Sequence, residues 1–203
     1  MQPIKERFAL FNQNAGYYQL AISQNATNAQ IDVMQGFLNV QIPTDLKMFY
    51  MELGSITPAE GNYGEDFMLK IDSVTSLLNA LENEEKWDNL ISLGLIDYIK
   101  YSWGNNRPEF DEYVDAEDIA YINEHYKCFG LYRYTWGFEE ANYLYFDKDG
   151  KFGEVRYHQD EFDELWIEHL NDLLVKSAAT ENLQDMVIRI FDKLENGILS
   201  EEE

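Results

Sequence analysis

The residues best placed to do chemistry in this 203-residue chain stand on one strand-like run in its second half. Glu154, Arg156 and His158 alternate with Val155 and Tyr157, and a period of two puts the three polar side chains on one face of a strand. A carboxylate, a guanidinium and an imidazole together suit a small anionic ligand or general acid–base catalysis. The same pattern also fits plain cross-strand charge pairing on a solvated sheet face.

Arg133 lies in the neighbouring run of residues 126–136, which is rich in aromatic residues. It is expected on the same face as Arg156, where it would add a second cation. An enzyme built here would use Arg156, His158 and Asp160. The chain lacks a Gly-x-Ser-x-Gly elbow and both glycine-rich phosphate-binding patterns, so no known catalytic motif supports an enzyme. We therefore expect no catalytic residue and no cofactor.

The metal-binding patterns are equally weak. His125, His158 and His169 have no metal-ligand spacing among themselves, although a mononuclear site of two histidines and an acid stays open. Residues 147–150 resemble the start of a calcium loop but carry Phe152 at the sixth position and His158 at the twelfth, where glycine and glutamate are needed. We expect a turn there and no metal.

Cys128 is the single cysteine, which excludes an internal disulfide. It lies in the aromatic run and is expected to be a buried, inert thiol.

Two features predict a binding surface. Tyr132, Tyr134 and Trp136 share a face at strand spacing, which fits either core packing or recognition. In residues 109–118, six of ten are acidic, and an acidic rim around an apolar centre suits a basic protein partner. The candidate partner-binding residues are Trp103, Arg107, Glu109, Asp111, Glu112, Tyr132, Tyr134, Trp136, Arg156 and His158.

Charge narrows the possible partners. The net charge is −23, with −2 in residues 1–60 and −21 in residues 61–203. This field repels phosphate backbones, which disfavours nucleic acid, and attracts basic proteins. Many acidic proteins carry such charge for solubility alone, and that alternative stays open.

No run approaches the ~20 apolar residues of a membrane span, and residues 1–20 lack the apolar core of a signal peptide. We expect a cytoplasmic protein without a membrane partner. Its oligomeric state is left open.

The elements that must position these residues centre on a hairpin over residues 142–160, with Asp147 and Gly150 in its turn. Strands are also expected over residues 126–136 and 67–71. Helices are expected after Thr27 up to Asn39, from Pro43 to Gly54, over residues 72–81, from Trp87 to about Trp103, over 115–125, after Asp160, and over 182–195. Residues 4–11 suit a short helix, and residues 55–66 read as loop. This predicts an α+β fold with a mostly antiparallel twisted sheet of about four to six strands.

One segment resembles a known family. A helix followed by Ile42-Pro43-x-Asp45-Leu46-Lys47-x-Phe49 and then Leu53-Gly54 resembles the opening of the SUKH superfamily, which includes Smi/Knr-like cell-wall regulators and bacterial immunity proteins. Leu53-Gly54 stands where the family usually has Asn-Gly. Further on, Tyr126-x-x-Phe129-Gly130 and Tyr145-Phe146-Asp147 resemble the family's sheet.

The resemblance covers residues 27–176, with a helical insertion near 80–118. Residues 1–26 form an N-terminal extension, and residues 177–203 form a last helix and an acidic tail. The resemblance implies a non-enzymatic protein that neutralises a cognate toxin by stoichiometric binding. A Smi/Knr-like scaffold in cell-wall or signalling control and an uncharacterised enzyme are the alternatives.

Overall fold

In the computed structural model, an antiparallel sheet forms the centre of the molecule and helices pack on both of its faces. The structure describes residues 1–60, 67–82, 90–104, 108, 110, 113–134, 139–158, 167–175 and 179–201, with the backbone alone at 67, 167, 168 and 201. Within these ranges, six strands are hydrogen-bonded to one another in chain order. The strands are β1 Leu20–Ile22, β2 Ile56–Pro58, β3 Phe67–Ile71, β4 Tyr126–Tyr134, β5 Glu140–Asp147 and β6 Phe152–His158.

The helices of the same ranges fall before, between and after the strands. They are α1 Gln2–Asn14, α2 Asn28–Leu38, α3 Thr44–Glu52, α4 Val74–Glu82, α5 Leu95–Ser102, α6 Ala116–His125, α7 Ile167–Val175 and α8 Leu183–Glu201. The predicted α+β class and the mostly antiparallel sheet are confirmed.

The predicted hairpin is β5 and β6, and its turn depends on Asp147. The Asp147 side chain accepts hydrogen bonds from the backbone N–H groups of Asp149 (2.9 Å) and Lys151 (3.0 Å). Gly150 adopts a positive φ of 73°, a conformation that costs glycine no steric penalty. This turn fixes the β5–β6 register, in which Asn142 stands opposite Arg156 and Leu144 opposite Glu154.

Helices α2 and α3 lie close to their predicted bounds. Thr27 and Gln30 form a reciprocal capping box at the start of α2, and Asn39 ends it in the left-handed conformation. Pro43 is the N-cap of α3, one residue earlier than the predicted first-turn position. These boundaries follow from local chemistry, which is why the sequence reveals them.

A helix was predicted from Trp87 to about Trp103, and the part of its first half that the structure describes is not helical. Residues 90–93 are not helical, and α5 begins at Leu95. The carbonyl of Leu93 accepts a hydrogen bond from the backbone N–H of Cys128 over 2.7 Å. A backbone group that a helix would need is therefore used by strand β4.

The structure contains two short strands, β1 and β2, that the sequence did not predict. Residues 55–66 were expected to form a loop, yet Ile56–Pro58 pairs with β1 on one side and with β3 on the other. At the outer edge of β1, the Asn12 side chain donates to the Leu20 carbonyl (2.7 Å) and accepts from its N–H (2.9 Å). A side chain of α1 thus occupies the place of a further strand.

The first and last described helices pack together. Phe11 of α1 contacts Phe191 of α8 with ring centroids 5.3 Å apart, and Arg7 pairs with Asp192 (2.9 Å) and Glu195. Helix α8 continues to Glu201, six residues beyond its predicted end at Glu195, because Ile198 extends its buried stripe.

The two faces of the sheet carry different helices. Leu69, Tyr132, Leu144 and Glu154 share one face, which α8 covers; we call it the α8 side. Leu131, Tyr143, Val155 and Tyr157 share the other, which α5 contacts; we call it the α5 side.

Candidate functional site

The polar residues of β6 lie together on the α8 side, as the alternation predicts. Glu154, Arg156 and His158 are partly exposed, whereas Val155 and Tyr157 are buried on the other face. Glu154 is paired with a helix residue and Arg156 with a residue of the neighbouring strand. This arrangement matches the charge-pairing alternative more closely than an open catalytic site.

Glu154 is the centre of the larger network. Its carboxylate accepts from Arg189 (3.1 Å) and Lys193 (3.1 Å) of α8 and from the hydroxyl of Tyr132 (3.0 Å). Arg189 also contacts Glu181 at 3.0 Å. Burial opposes ionisation of Glu154, but Arg189 and Lys193 outweigh it and hold the pKa of the carboxyl below its usual value. The network ties α8 to the sheet and leaves Glu154 charged.

Arg156 has its own partner. Its Nη2 donates to Oε2 of Glu140, on the neighbouring strand, over 2.7 Å. The Arg156 side chain remains 39% exposed and Glu140 13% exposed. This pair is therefore accessible from solvent, unlike the middle of the face under α8.

Arg133 was expected on the same face as Arg156, and this prediction is wrong. Tyr132 is the residue that stands opposite Asn142 in the β4–β5 register, so Arg133 points to the α5 side. Its guanidinium carbon lies 6.0 Å from the centre of the Trp103 ring. The face of a residue depends on strand register, and a β-bulge between Cys128 and Gly130 shifts the register here.

Among the candidate partner-binding residues that the structure describes, the aromatic ones lie on opposite faces of the sheet. Tyr132 is fully buried and Tyr134 partly buried on the α8 side, with the ammonium of Lys193 5.3 and 5.5 Å from their ring centres. Trp103 lies on the α5 side, where it donates to the hydroxyl of Tyr143 over 2.7 Å. The tyrosines thus match the core-packing alternative.

Several predicted positions lie outside the described residues. They are Arg107, Glu109, Asp111, Glu112, Trp136 and Asp160. Cys128 is fully buried, and burial raises the pKa of its thiol. The expectation of a buried thiol agrees with this position.

A different surface joins acidic and aromatic side chains, and it lies along α6. Residues 113–125 carry Asp115, Glu117, Asp118 and Glu124 without a lysine or arginine, and none of the four is buried. Two large aromatics lie among them: Tyr113 is 45% exposed and Tyr121 is 39% exposed. We call residues 113–125 and the grooves at their two ends the α6 surface.

A groove of about 220 Å³ lies at the N-terminal end of α6. Helix α7 supplies one wall through Leu170, Asn171 and Leu174, and Asp115 and Asp118 stand on the other. Asp115 and Asp118 belong to the acidic run of residues 109–118, from which the sequence predicts an acidic rim that suits a basic partner.

A second groove, of about 200 Å³, lies at the C-terminal end of α6. His125 stacks on Tyr121 there, with ring centroids 3.9 Å apart. The rest of its lining is Tyr126 of β4, Asp147, Lys148 and Asp149 of the hairpin turn, and Leu173 and Val175 of α7. Val175 is 88% exposed. It adjoins a wider groove of about 480 Å³ that runs between the hairpin turn and the connection from α2 to α3.

The α6 surface was not recognised from the sequence, apart from its acidic residues. Tyr113 and Tyr121 precede strand β4, whose aromatic residues the sequence analysis selected instead. Tyr121 is 39% exposed although its neighbour Ile122 is buried, and the helical period that buries Ile122 could have indicated this.

Among the residues that the structure describes, no group of three or more histidines, cysteines and acids could hold a metal ion. In the same ranges, no helix has the length and apolar character needed to cross a membrane. Comparison of the chain with family models, with curated proteins and with solved structures yields no match.

Proposed function

We propose that this protein is a non-enzymatic binding module that takes a basic protein partner on its α6 surface. The observation that carries the proposal is the joining of exposed aromatic rings, acidic side chains and two grooves along one helix. Aromatic residues supply much of the energy of protein interfaces, and complementary charge supplies specificity and a fast encounter.

The distribution of cations supports this choice of partner. Several described lysines and arginines outside the α6 surface are engaged with carboxylates, as in the contacts of Arg189 with Glu154 and Glu181 and of Lys5 with Glu52. Residues 113–125 contribute four acids and no lysine or arginine, and Lys127 lies close enough to Glu124 to interact with its charge. A partner's lysines and arginines would pair with the other acids.

The resemblance to the SUKH superfamily suggests the class of partner. We propose a bacterial immunity protein that binds a cognate toxin in the cytoplasm and neutralises it by forming a stoichiometric complex. Nucleic acid and membranes are not expected partners, because the net charge of −23 disfavours anionic surfaces.

The first test uses the products of the genes that flank this one. Each basic product is purified, mixed with the full chain and examined by size-exclusion chromatography with light scattering. We expect one of them to form a complex of fixed stoichiometry. Co-expression should then restore growth to cells that this product inhibits.

A matched control separates binding from general charge attraction. An unrelated basic protein of similar size and net charge should bind weakly and lose its binding completely with modest salt. If no neighbouring product forms a complex, or if the unrelated protein binds as tightly, the proposed function is wrong.

A further inference from the structure

Helix α2 is apolar on more than the face that it buries. Ile31 and Met34 lie in the core, as expected for an amphipathic helix. Away from the core, Val33 is 59% exposed and Phe37 is 56% exposed, and the two lie one helical turn apart on the same side of the helix. Large apolar side chains that share an exposed face are typical of an interaction surface. The outer face of α2 is therefore a candidate interface.

Gly36 is a second, independent sign that this face is covered. It is exposed and lies within α2, where glycine is less favourable than alanine. A Cβ built on Gly36 would meet no atom of the described residues within 4 Å, so the packing of the chain on itself does not explain the glycine. The close approach of a second molecule would explain it, because glycine lets another surface come near the backbone.

Helix α4 packs beside α2 and widens the face. Nε2 of Gln30 donates to Oγ1 of Thr75 over 3.5 Å, and the exposed residues of α4 before its last position are Thr75, Ser76 and Asn79. Asp32 and Glu82 are the only charged residues of the two helices, in a chain of which 26% is charged. An apolar centre with a nearly uncharged polar rim is the usual composition of a protein interface. We call the outer sides of α2 and α4 the α2–α4 face.

The charge of the protein identifies the occupant of this face. A partner selected by charge would find almost none to pair with on α2 and α4. A second copy carries the same net charge of −23 and is therefore repelled by the acidic part of the chain, residues 61–203, which holds −21. Two copies can meet only where neither brings much charge, and the α2–α4 face meets this condition.

The shape of α2 also fits a second copy. Gly36 leaves a gap on the exposed side of the helix, and Phe37 projects beside it. A two-fold axis brings the same patch of both copies together, so that each copy supplies both a gap and a projection. The face is in this sense complementary to itself.

We propose that the α2–α4 face of one copy binds the same face of a second copy about a two-fold axis, with Val33, Gly36 and Phe37 at the centre. The resulting homodimer uses no residue of the α6 surface. It therefore goes beyond the proposed binding of a basic partner and does not depend on it.

The size of the face predicts a weak dimer. Two helices of 11 and 9 residues, packed about 10 Å apart, present a face of roughly 15 by 20 Å. This is smaller than a standard interface, to which each partner contributes about 800 Å², and small interfaces are typical of transient complexes. We expect a dissociation constant of about 100 μM. Salt screens the repulsion between the two acidic copies, so the dimer should tighten several-fold as salt is added.

Sedimentation equilibrium of the full chain, from about 1 μM to about 1 mM and at low and moderate salt, tests the proposal. The average mass should rise from the 23.8 kDa of one chain towards twice that value and should not exceed it. Salt also separates this dimer from the complex with a basic partner, which should weaken as salt is added.

Matched substitutions locate the interface. Val33→Gln and Phe37→Gln should each raise the dissociation constant of the dimer about tenfold or more. Val175→Gln makes the same change at a valine of α7 that is 88% exposed, and it should leave the dimer unchanged. Circular dichroism confirms that each variant is folded.

Gly36→Ala distinguishes an interface from a role in folding. At concentrations where the chain is monomeric, it should raise the urea midpoint, because alanine favours the helix. It should also raise the dissociation constant of the dimer about fivefold, because the new methyl group fills the gap. A loss of dimer together with a gain in stability is the expected result.

A mass of 23.8 kDa at every concentration and salt would overturn the proposal, and this result does not depend on any variant. A dimer that persists in both Val33→Gln and Phe37→Gln, or that weakens equally in Val175→Gln, would place the interface elsewhere and overturn it too.

Discussion

Arg189 of α8 donates from Nη2 to Oε2 of Glu154 on β6 over 3.1 Å, although the two residues are 35 positions apart in the chain. The contact joins the last helix to the hairpin on which the fold is organised. Lys193, one helical turn further along, binds the other oxygen of the same carboxylate at 3.1 Å. The last helix is thus bound to the sheet by charge as well as by its apolar stripe.

Arg189→Ala should lower the free energy of unfolding by about 1–3 kcal/mol, because Glu154 and Glu181 lose a charge-assisted hydrogen-bond donor in a partly buried setting. Urea unfolding followed by circular dichroism measures the change. Lys5→Ala is the comparison: its pair with Glu52 has both side chains 39% exposed and should contribute little. Equal losses in the two variants would show that the Arg189 network has no special role.

Glu154 also predicts a specific dependence of stability on pH. Its pKa in the folded protein lies below the unfolded value of about 4.3. The stabilisation is therefore present above that value and is lost as the pH falls through the lower, folded pKa. In Glu154→Gln this contribution is absent, so the difference in unfolding free energy between the two proteins should shrink as the solution is acidified below about pH 4.

The free energy of unfolding of the unmodified protein and of Glu154→Gln is measured across that pH range. The other acids titrate in both proteins, so their contributions cancel and the difference reports on Glu154. A difference that is constant with pH would mean that the carboxylate is not preferentially ionised in the folded state.

Two buried tyrosines should respond in opposite ways to loss of the hydroxyl. The hydroxyl of Tyr145 is buried without a hydrogen-bond partner, so Tyr145→Phe should leave stability unchanged or raise it. Tyr98 donates to the carboxylate of Asp72, which is 4% exposed. Tyr98→Phe should cost about 1–3 kcal/mol, because it removes a donor from a buried acceptor. Thermal unfolding of the pair compares them directly, and a larger loss for Tyr145→Phe contradicts this assignment.

Gly130 should be intolerant of any side chain. A Cβ there would stand 2.3 Å from the backbone carbonyl oxygen of Lys70 on β3, an atom that cannot move without disturbing the sheet. Gly130→Ala should therefore unfold the protein or strongly reduce its yield as soluble material. Gly36→Ala is the matched control: nothing lies within 4 Å of its added Cβ, and alanine in a helix should stabilise by about 0.5–1 kcal/mol.

The parts of the fold that local chemistry determines could be predicted from the sequence. Thr27 and Asn39 bound α2 through contacts with residues close in the chain, and Asp147 and Gly150 shape the hairpin turn within four positions. Strand alternation correctly placed Glu154, Arg156 and His158 on one face.

The parts that depend on distant partners could not be predicted. Asn123 accepts hydrogen bonds from the N–H groups of Ile96 and Asp97 and so fixes the start of α5 from 26 or more positions away. Strand β1 has three residues, and its pairing with Pro58 leaves no periodic signal. The face of Arg133 depends on a bulge that no pattern marks.

The same distinction holds for the candidate site. The acidic character of residues 109–118 is visible in the composition, but the grooves exist only because α7 packs beside α6. The aromatic residues of β4 did not predict an exposed binding surface, because α8 buries Tyr132 and covers Tyr134.

The central claim is that the acidic side of α6 binds a basic protein, and the affinity of one charge-reversed pair of variants tests it most directly. Glu117 on α6 and Asp45 on α3 are both exposed acids in the first turn of a helix, so reversal to lysine changes the net charge and the helix-dipole energy in the same way. For the complex with the neighbouring-gene product, we predict that Glu117→Lys raises the dissociation constant about fivefold or more. Asp45→Lys should change the dissociation constant little. Equal weakening by the two variants, or none by Glu117→Lys, would contradict the account.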